Sequence, residues 1–216
     1  MSGAREEILQ RIRQAAGSVP INREEEYAAI PRAYVRAFED TAAGLVEMFI
    51  DRLQDYGCDV CRCSGHEIAA TIKSVLDGRG KSLLVIPPGL PQDWQPEGIQ
   101  FDYDDGLSSE ALERAQGVLT GCALAIASTG TIVLKHSREE GRRATTLIPD
   151  YHLCVVFEEQ LVGAVPEGIR AMSAFRSAPM TTISGPSATS DIEMTRIKGV
   201  HGPRTLDVVL VSRDQT

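Results

Sequence analysis

The stretch CALAIASTGTIVL, residues 122–134, is typical of two short strands joined by a tight turn. Apolar residues lie at both of its ends, and Ser, Thr and Gly lie in the middle. A helical pattern at 109–119 precedes it, and the apolar run 83–86 lies before that helix. Further apolar runs follow at 153–157 and 206–211. Strands and helices that alternate in this way predict an α/β fold with a largely parallel sheet, covered on both faces.

The composition is that of an ordinary globular protein and excludes two classes of partner. The 216 residues are 43% hydrophobic and 24% charged, with a net charge of -8 at pH 7. A nucleic-acid surface calls for clustered Lys and Arg, and no apolar run approaches the roughly 20 residues of a membrane helix. Residues 1–14 lack an apolar signal segment, and an odd number of cysteines, five, is typical of reduced thiols. We therefore expect a cytoplasmic protein without nucleic-acid binding or membrane insertion.

The chain is predicted to consist of a helical arm and one α/β domain. Residues 8–15 have helical spacing, and a second apolar helix face is predicted at about 41–56. Gly57 is expected to end that helix, and short apolar runs alternate with helices from there onward. We therefore assign 1–57 to an N-terminal helical arm packed on the core, and 58–216 to the α/β domain.

Three closely spaced cysteines, Cys58, Cys61 and Cys63, invite a metal-site interpretation. They follow a predicted helix end and lie in a predicted strand, where successive side chains point to opposite faces. Cys61 and Cys63 then face one way and Cys58 the other, so three thiolates cannot converge on one ion. Cluster motifs also need a fourth ligand. We therefore predict no metal site and interpret the cysteines as small buried apolar residues.

Three motifs in the second half of the chain occur in a fixed order. They are STGTIVL at 128–134, SGPSATSDIE at 184–193 and GVHGPR at 199–204. Between the first two lies LIP at 147–149, followed by His152 and an apolar run. Each motif alone is weak, but the ordered set resembles the lactate-utilisation (LUD) domain family, and within it the short C components. The resemblance extends from about residue 58 to the end of the sequence.

The resemblance implies a three-layer α/β/α sandwich similar to ribose-phosphate isomerases and CoA transferases. It also implies a part in oxidising L-lactate to pyruvate, together with partner subunits that carry iron–sulfur clusters. Many members of that family have an acidic residue before the Thr-Gly-Thr turn, where this chain has Ser128. A carboxylate-nucleophile mechanism is therefore not expected. The sequence also lacks a P-loop, a dinucleotide fingerprint and a Gly-x-Ser-x-Gly elbow, so we expect no cofactor in this chain.

The candidate site is a small-anion pocket formed by the loops at the carboxyl ends of the strands. Glycines let a ligand approach the backbone closely, and hydroxyl groups add uncharged hydrogen-bond donors. Arg204 is expected to bind a carboxylate or phosphate through two hydrogen bonds. Ser187 is predicted to precede a helix, whose amides and dipole favour an anion, although a plain helix cap is an equal alternative. The predicted ligand-binding residues are Thr129, Gly130, Thr131, Ser184, Gly185, Ser187, Thr189 and Arg204.

Two further features could act on a bound ligand. His201 is the candidate catalytic residue, because histidine transfers protons near neutral pH, although a turn histidine bonded to backbone is the alternative. Residues 135–146 are polar and predict a mobile flap that could swing Arg142 or Arg143 over the pocket.

Two functions remain open at this stage. In the first, the chain is a non-redox component of a lactate-oxidising assembly that binds substrate or holds the cluster-bearing partners. In the second, it is a stand-alone enzyme on a phosphorylated or acyl small molecule. The missing redox motifs and Ser128 favour the first, and the hydroxyl-rich and basic loops keep the second open. The ligand would be a small carboxylate or phosphate, and the oligomeric state is undetermined.

Overall fold

The computed structural model describes residues 3–16, 23–38, 41–175, 178–189, 197–198 and 202–212. Within them the α-helices are α1 (Gly3–Ala16), α2 (Arg23–Ala29), α3 (Ala42–Asp55), α4 (Ile68–Gly78), α5 (Ser109–Arg114) and α6 (Val165–Met172). The strands are β1 (Asp59–Cys63), β2 (Leu83–Ile86), β3 (Gln100–Tyr103), β4 (Val118–Thr120), β5 (Leu124–Ile126), β6 (Thr131–Leu134), β7 (Tyr151–Phe157), β8 (Leu161–Val162), β9 (Thr181–Ser184), β10 (Ala188–Thr189), β11 (Ile197–Lys198) and β12 (Thr205–Val211). None of the helices in these ranges has the length and apolar character that crossing a bilayer requires.

The chain divides into two compact units, Met1–Tyr34 and Val35–Thr216. The first unit contains α1 and α2, and its Arg32 donates a hydrogen bond to the carbonyl oxygen of Tyr27 at 2.9 Å. The second unit contains all the strands and also α3, which the sequence analysis assigned to the arm ending at residue 57. Helix α3 belongs to the second unit because it supplies the fully buried side chains of Phe49 and Leu53 to the core of that unit.

A six-stranded sheet forms the middle layer of the second unit. Its order is β1-β12-β7-β4-β2-β3, and every neighbouring pair is parallel. The predicted parallel sheet is confirmed, and β3 lies at one of its edges. The central strands β7 and β12 are buried along nearly their whole length, because side chains on both faces meet other layers.

A second sheet packs against one face of the first. Its order is β8-β5-β6-β9, and β5 and β6 form the antiparallel hairpin predicted from residues 122–134. Together with α3, this sheet covers one face of the main sheet through an apolar cluster that includes Ala125 and Ile132. On the other face, α4 buries Ile72 and Leu76 in a separate cluster. The α/β fold is therefore as predicted, with the main sheet between two apolar layers.

The cysteines of β1 lie as the strand alternation predicted. Cys58 belongs to the cluster on the α3 face, whereas Cys63 belongs to the cluster on the α4 face. The thiols at the two ends of this segment therefore point into different layers of the protein.

Two local predictions are wrong. The helix expected at 109–119 ends at Arg114, and its last residues form β4 instead. Gly117 lies against Tyr151, since an added Cβ would come within 2.6 Å of that ring, and β4 fills the gap between β2 and β7. The helix expected after Ser187 is absent at Ala188–Thr189, which forms β10 and pairs with β11. Tertiary pairing overrides the local helical pattern at both places.

Candidate functional site

A cavity of about 250 Å³ lies where the main sheet meets strand β9. His152 and Leu206, the second residues of β7 and β12, are register partners and form its floor, and β9 and the following loop form a wall. The cavity therefore lies at the amino ends of these parallel strands, not at the carboxyl ends where the sequence analysis expected it. Its lining includes Arg143, His152, Thr182, Ser184, Gly185 and Ser187.

The carboxyl ends of the strands border a different cavity, of about 210 Å³. Trp94 and Phe157 lie in its wall with ring centroids 5.8 Å apart. Glu139 is the charged residue among the described residues of its lining. A carboxylate repels an anion, so the cavity beside His152 is better suited to an anionic ligand.

Three of the predicted hydroxyl residues form a short hydrogen-bonded chain. The hydroxyl oxygens of Thr129 and Thr131 are 2.7 Å apart, and those of Thr131 and Ser184 are 2.8 Å apart. Thr131 faces Ser184 across the antiparallel pair of β6 and β9, and Ser184 also lines the cavity. The structure thus brings these three residues together and connects them to the cavity through Ser184.

The two predicted glycines contact helix α3. Gly130 and Gly185 have φ of 57° and 82°, in the left-handed region. A Cβ on Gly130 would come within 2.9 Å of the Cβ of Arg52, and one on Gly185 within 2.6 Å of the Cβ of Tyr56. The missing side chains therefore allow the two turns to pack against α3. Gly185 also lines the cavity.

The two residues after Ser187 form strand β10 and not the predicted start of a helix. Ser187 lines the cavity, and its backbone N–H donates to the carbonyl oxygen of Pro203 at 2.8 Å. Thr189 lies in β10, opposite Ile197 of β11. The helix-dipole argument for an anion is therefore wrong at this position. His201, the predicted catalytic residue, lies outside the described residues.

Arg204 forms an ion pair at the surface. Its Nε donates to Oδ1 of Asp150 at 3.0 Å, and its Nη2 donates to Oδ2 at 2.5 Å. The two side chains are 60% and 62% exposed, and neither residue is part of the described cavity lining. This bidentate pair connects the segments that enter β7 and β12, so the carboxylate partner expected for Arg204 is supplied by the protein itself.

The loop at 135–146 is anchored, contrary to the predicted mobile flap. Arg142 donates to both carboxylate oxygens of Asp104, at 2.8 and 2.9 Å, and the Thr145 hydroxyl donates to the same group. Glu140 is buried and accepts a hydrogen bond from the backbone N–H of Ser137 at 3.1 Å. These contacts hold the loop against the main sheet.

Arg143, next to that anchor, lines the cavity. Its guanidinium has no hydrogen bond or ion pair with any part of the chain that the structure describes, in contrast to Arg142 and Arg204. No Asp or Glu occurs among the described residues of the lining. Among the described residues of the lining, Arg143 is therefore the arginine available to a ligand.

His152 lines the same cavity and is only 1% exposed. Its Nε2 lies 2.8 Å from the hydroxyl oxygen of Thr120, whereas its Nδ1 is buried and has no hydrogen-bond partner in the part of the chain that the structure describes. The Thr120 hydroxyl also lies 3.9 Å from Sγ of Cys154. A hydrogen bond from Cys122 and the contacts with His152 and Thr120 lower the pKa of Cys154, although burial acts in the opposite direction. His152 was not among the predicted site residues, although a histidine at the start of an otherwise apolar strand was the available signal.

Comparison with known proteins connects this architecture to one family. The model of the LUD domain matches residues 46–211. A lactate utilization protein C from Deinococcus radiodurans is 45% identical over 78% of this chain and 80% of its own length. The protein of the same name from Bacillus subtilis is 31% identical over 57% of this chain and 55% of its own. A crystal structure of a DUF162 family protein from D. radiodurans matches 80% of this chain and 99% of its own, with a TM-score of 0.71 and 40% identity.

Proposed function

Because the chain belongs to the LUD domain family, we propose that it is a non-redox component of an L-lactate utilisation system. It binds a small carboxylate in the cavity beside His152 and acts with partner proteins that carry iron–sulfur clusters. Relatives named lactate utilization protein C support involvement in lactate utilisation. The observation that carries the binding role is the guanidinium of Arg143, which pairs with none of the described residues and lies on a cavity whose described lining has no carboxylate.

The chemistry of the lining matches a small organic acid. A guanidinium presents two parallel N–H groups that fit the two oxygens of a carboxylate. Thr182 and Ser184 lie on the same face of β9 and both line the cavity, and their hydroxyls can donate without adding charge. A volume of about 250 Å³ is sufficient for an acid of a few carbon atoms and too small for a dinucleotide.

Thermal unfolding with L-lactate tests the binding role. At ten times the dissociation constant, a ligand that binds only the native state stabilises it by about 1.4 kcal/mol, which raises Tm by roughly 3–5 °C. Arg143→Gln is expected to remove most of this rise. Arg204→Gln is the matched control, because that arginine pairs with Asp150 away from the cavity, and it is expected to keep the full rise.

The opposite pattern would contradict the assignment of the cavity. If Arg204→Gln removed the lactate-dependent rise and Arg143→Gln kept it, the anion would bind at the surface pair. For each variant, the quantity compared is the difference between its Tm with and without L-lactate. A loss of stability that is unrelated to binding lowers both values and does not change this difference.

The role in an assembly is tested separately, with tagged protein recovered from cells grown on L-lactate. We expect proteins with visible iron–sulfur absorption to co-elute, and the chain purified alone to show none. Cluster absorption that stays with the isolated chain, or recovery without any iron-containing partner, would contradict this part of the proposal.

One observation favours a second candidate function. A guanidinium with nearby hydroxyls binds a phosphate as readily as a carboxylate, so a stand-alone enzyme acting on a phosphorylated small molecule uses the same lining. Inorganic phosphate distinguishes the two. If phosphate raises Tm more than L-lactate at equal concentration, and Arg143→Gln abolishes that rise, the enzyme alternative is favoured.

A further inference from the structure

His152 carries a buried polar atom with no partner among the described residues. Buried nitrogen atoms in folded proteins are almost always hydrogen-bonded, because leaving one unsatisfied costs free energy. Among the side chains that the structure describes, Nδ1 of His152 is the buried nitrogen or oxygen without a hydrogen bond. The residue lines the cavity that also contains Arg143. A ligand in this cavity is therefore the candidate for the missing partner.

The neighbours of His152 determine which kind of partner Nδ1 requires. His152 and Cys154 lie on the same face of β7, and Thr120 lies opposite Cys154 on β4. The Thr120 hydroxyl has one proton and lies 3.9 Å from Sγ of Cys154, and we assign this proton to a hydrogen bond with the sulfur. Its oxygen then accepts the Nε2 proton of His152 across 2.8 Å. In a neutral ring whose proton is on Nε2, Nδ1 is a hydrogen-bond acceptor.

We propose that His152 is the specificity-determining residue of this cavity, and that its Nδ1 accepts a hydrogen bond from the hydroxyl group of a 2-hydroxy acid. The inference rests on the function proposed above, since Arg143 holds the carboxylate of the same molecule. A 2-oxo acid presents a second acceptor to Nδ1 and is disfavoured, and an acid without the α-oxygen leaves Nδ1 unsatisfied. The cavity thus selects L-lactate over pyruvate and over propionate.

Calorimetric titration of the full chain with L-lactate, pyruvate and propionate tests this selectivity. L-lactate is expected to bind about tenfold more tightly than propionate, the ratio that one buried hydrogen bond supports, and also more tightly than pyruvate. Equal binding of all three acids would overturn the role of His152 and leave the carboxylate site intact. Pyruvate binding more tightly than L-lactate would overturn the proton assignment on which the inference depends.

Two variants separate Nδ1 from the rest of the ring. His152→Gln places an amide near the position of Nε2, so it keeps the contact with Thr120 and loses Nδ1. His152→Asn places its amide near Nδ1 instead. The glutamine variant is expected to bind L-lactate and propionate equally, and the asparagine variant to keep part of the difference. An unchanged ratio in His152→Gln would overturn the inference.

The Arg143→Gln variant distinguishes a failure of this inference from a failure of the proposed function. It is expected to weaken all three acids by a similar factor, because it removes the contact that they share. If wild-type protein binds none of the acids, the carboxylate site and the inference fail together. If it binds all three acids without the expected preference for L-lactate, only the proposed role of His152 fails, and the carboxylate site stands.

Nitrogen-15 NMR of the wild-type protein gives a result that depends on no variant. The sequence has four histidines, so the ring signals can be assigned individually. L-lactate is expected to shift the Nδ1 signal of His152 from that of a bare nitrogen toward that of a hydrogen-bond acceptor, and propionate is expected not to. An Nδ1 that already carries a proton would contradict the proposal.

Discussion

Asp104→Asn tests whether the loop that carries Arg143 is anchored by a buried carboxylate. The Asp104 side chain is 1% exposed and accepts hydrogen bonds from Arg142, from the Thr145 hydroxyl and, at 3.0 Å, from the backbone N–H of Leu107. The two bonds from uncharged donors each lose about 1 kcal/mol when the charge is removed. Arg142 is 44% exposed, so its ion pair contributes less than about 1 kcal/mol more.

We therefore expect the free energy of unfolding to fall by about 2–3 kcal/mol and Tm by roughly 5–10 °C. Urea denaturation of Asp104→Asn measures the first quantity directly. The matched control is Asp105→Asn, because the adjacent carboxylate is exposed and its loss is expected to cost less than about 0.5 kcal/mol. In limited proteolysis the loop of the wild-type protein is expected to resist cutting, and the loop of Asp104→Asn to be cut early.

The pH dependence of the free energy of unfolding shows whether the charged form of Asp104 stabilises the folded protein. Burial raises the pKa of Asp104, but the hydrogen bonds from Arg142, Thr145 and Leu107 outweigh it and hold the pKa below its usual range. The contribution is therefore fully present above the unfolded pKa of about 3.9 and is lost as pH falls through the lower folded value. The stability difference between wild type and Asp104→Asn should stay constant from neutral pH to about pH 5 and close in stronger acid. A difference that widens on acidification would refute the reasoning.

The other predictions concern packing and thiol access. Gly185→Ala is expected to cost more than about 2 kcal/mol in urea denaturation, because it combines a strained φ with a clash against Tyr56. Gly106→Ala is its control, since φ is 83° there and nothing lies within 4 Å of the added Cβ; an equal cost in both variants would rule out the clash. In native protein, a thiol reagent is expected to modify Cys61 alone before unfolding, because the other four cysteines are buried. The reaction of Cys61 is expected to be slow at neutral pH, because burial raises the pKa of its thiol. Rapid modification of a second thiol, or a Cys61→Ser variant that keeps the early reaction, would contradict this.

The sequence by itself determined the family and the main architecture. Apolar runs such as 83–86 and 206–211 alternate with helices, and that alternation predicts a parallel sheet because such strands are buried on both faces. The hairpin within 122–134 was predictable because a Thr-Gly-Thr turn between two apolar runs is a local signal. The opposite orientation of Cys58 and Cys63 followed from strand alternation alone.

Only the tertiary structure decided which polar residues share a cavity. The sequence pattern favoured Arg204 over Arg143 as the ligand-binding arginine, but Asp150 pairs with Arg204 because the segments entering two neighbouring strands bring them together. Helix α3 occupies the space that the glycine turns were expected to offer to a ligand. His152 becomes significant only when β4 places Thr120 against one ring nitrogen, while the other has no partner among the described residues. Local patterns record propensity and periodicity, whereas a binding site depends on contacts between residues far apart in the chain, which a local pattern does not contain.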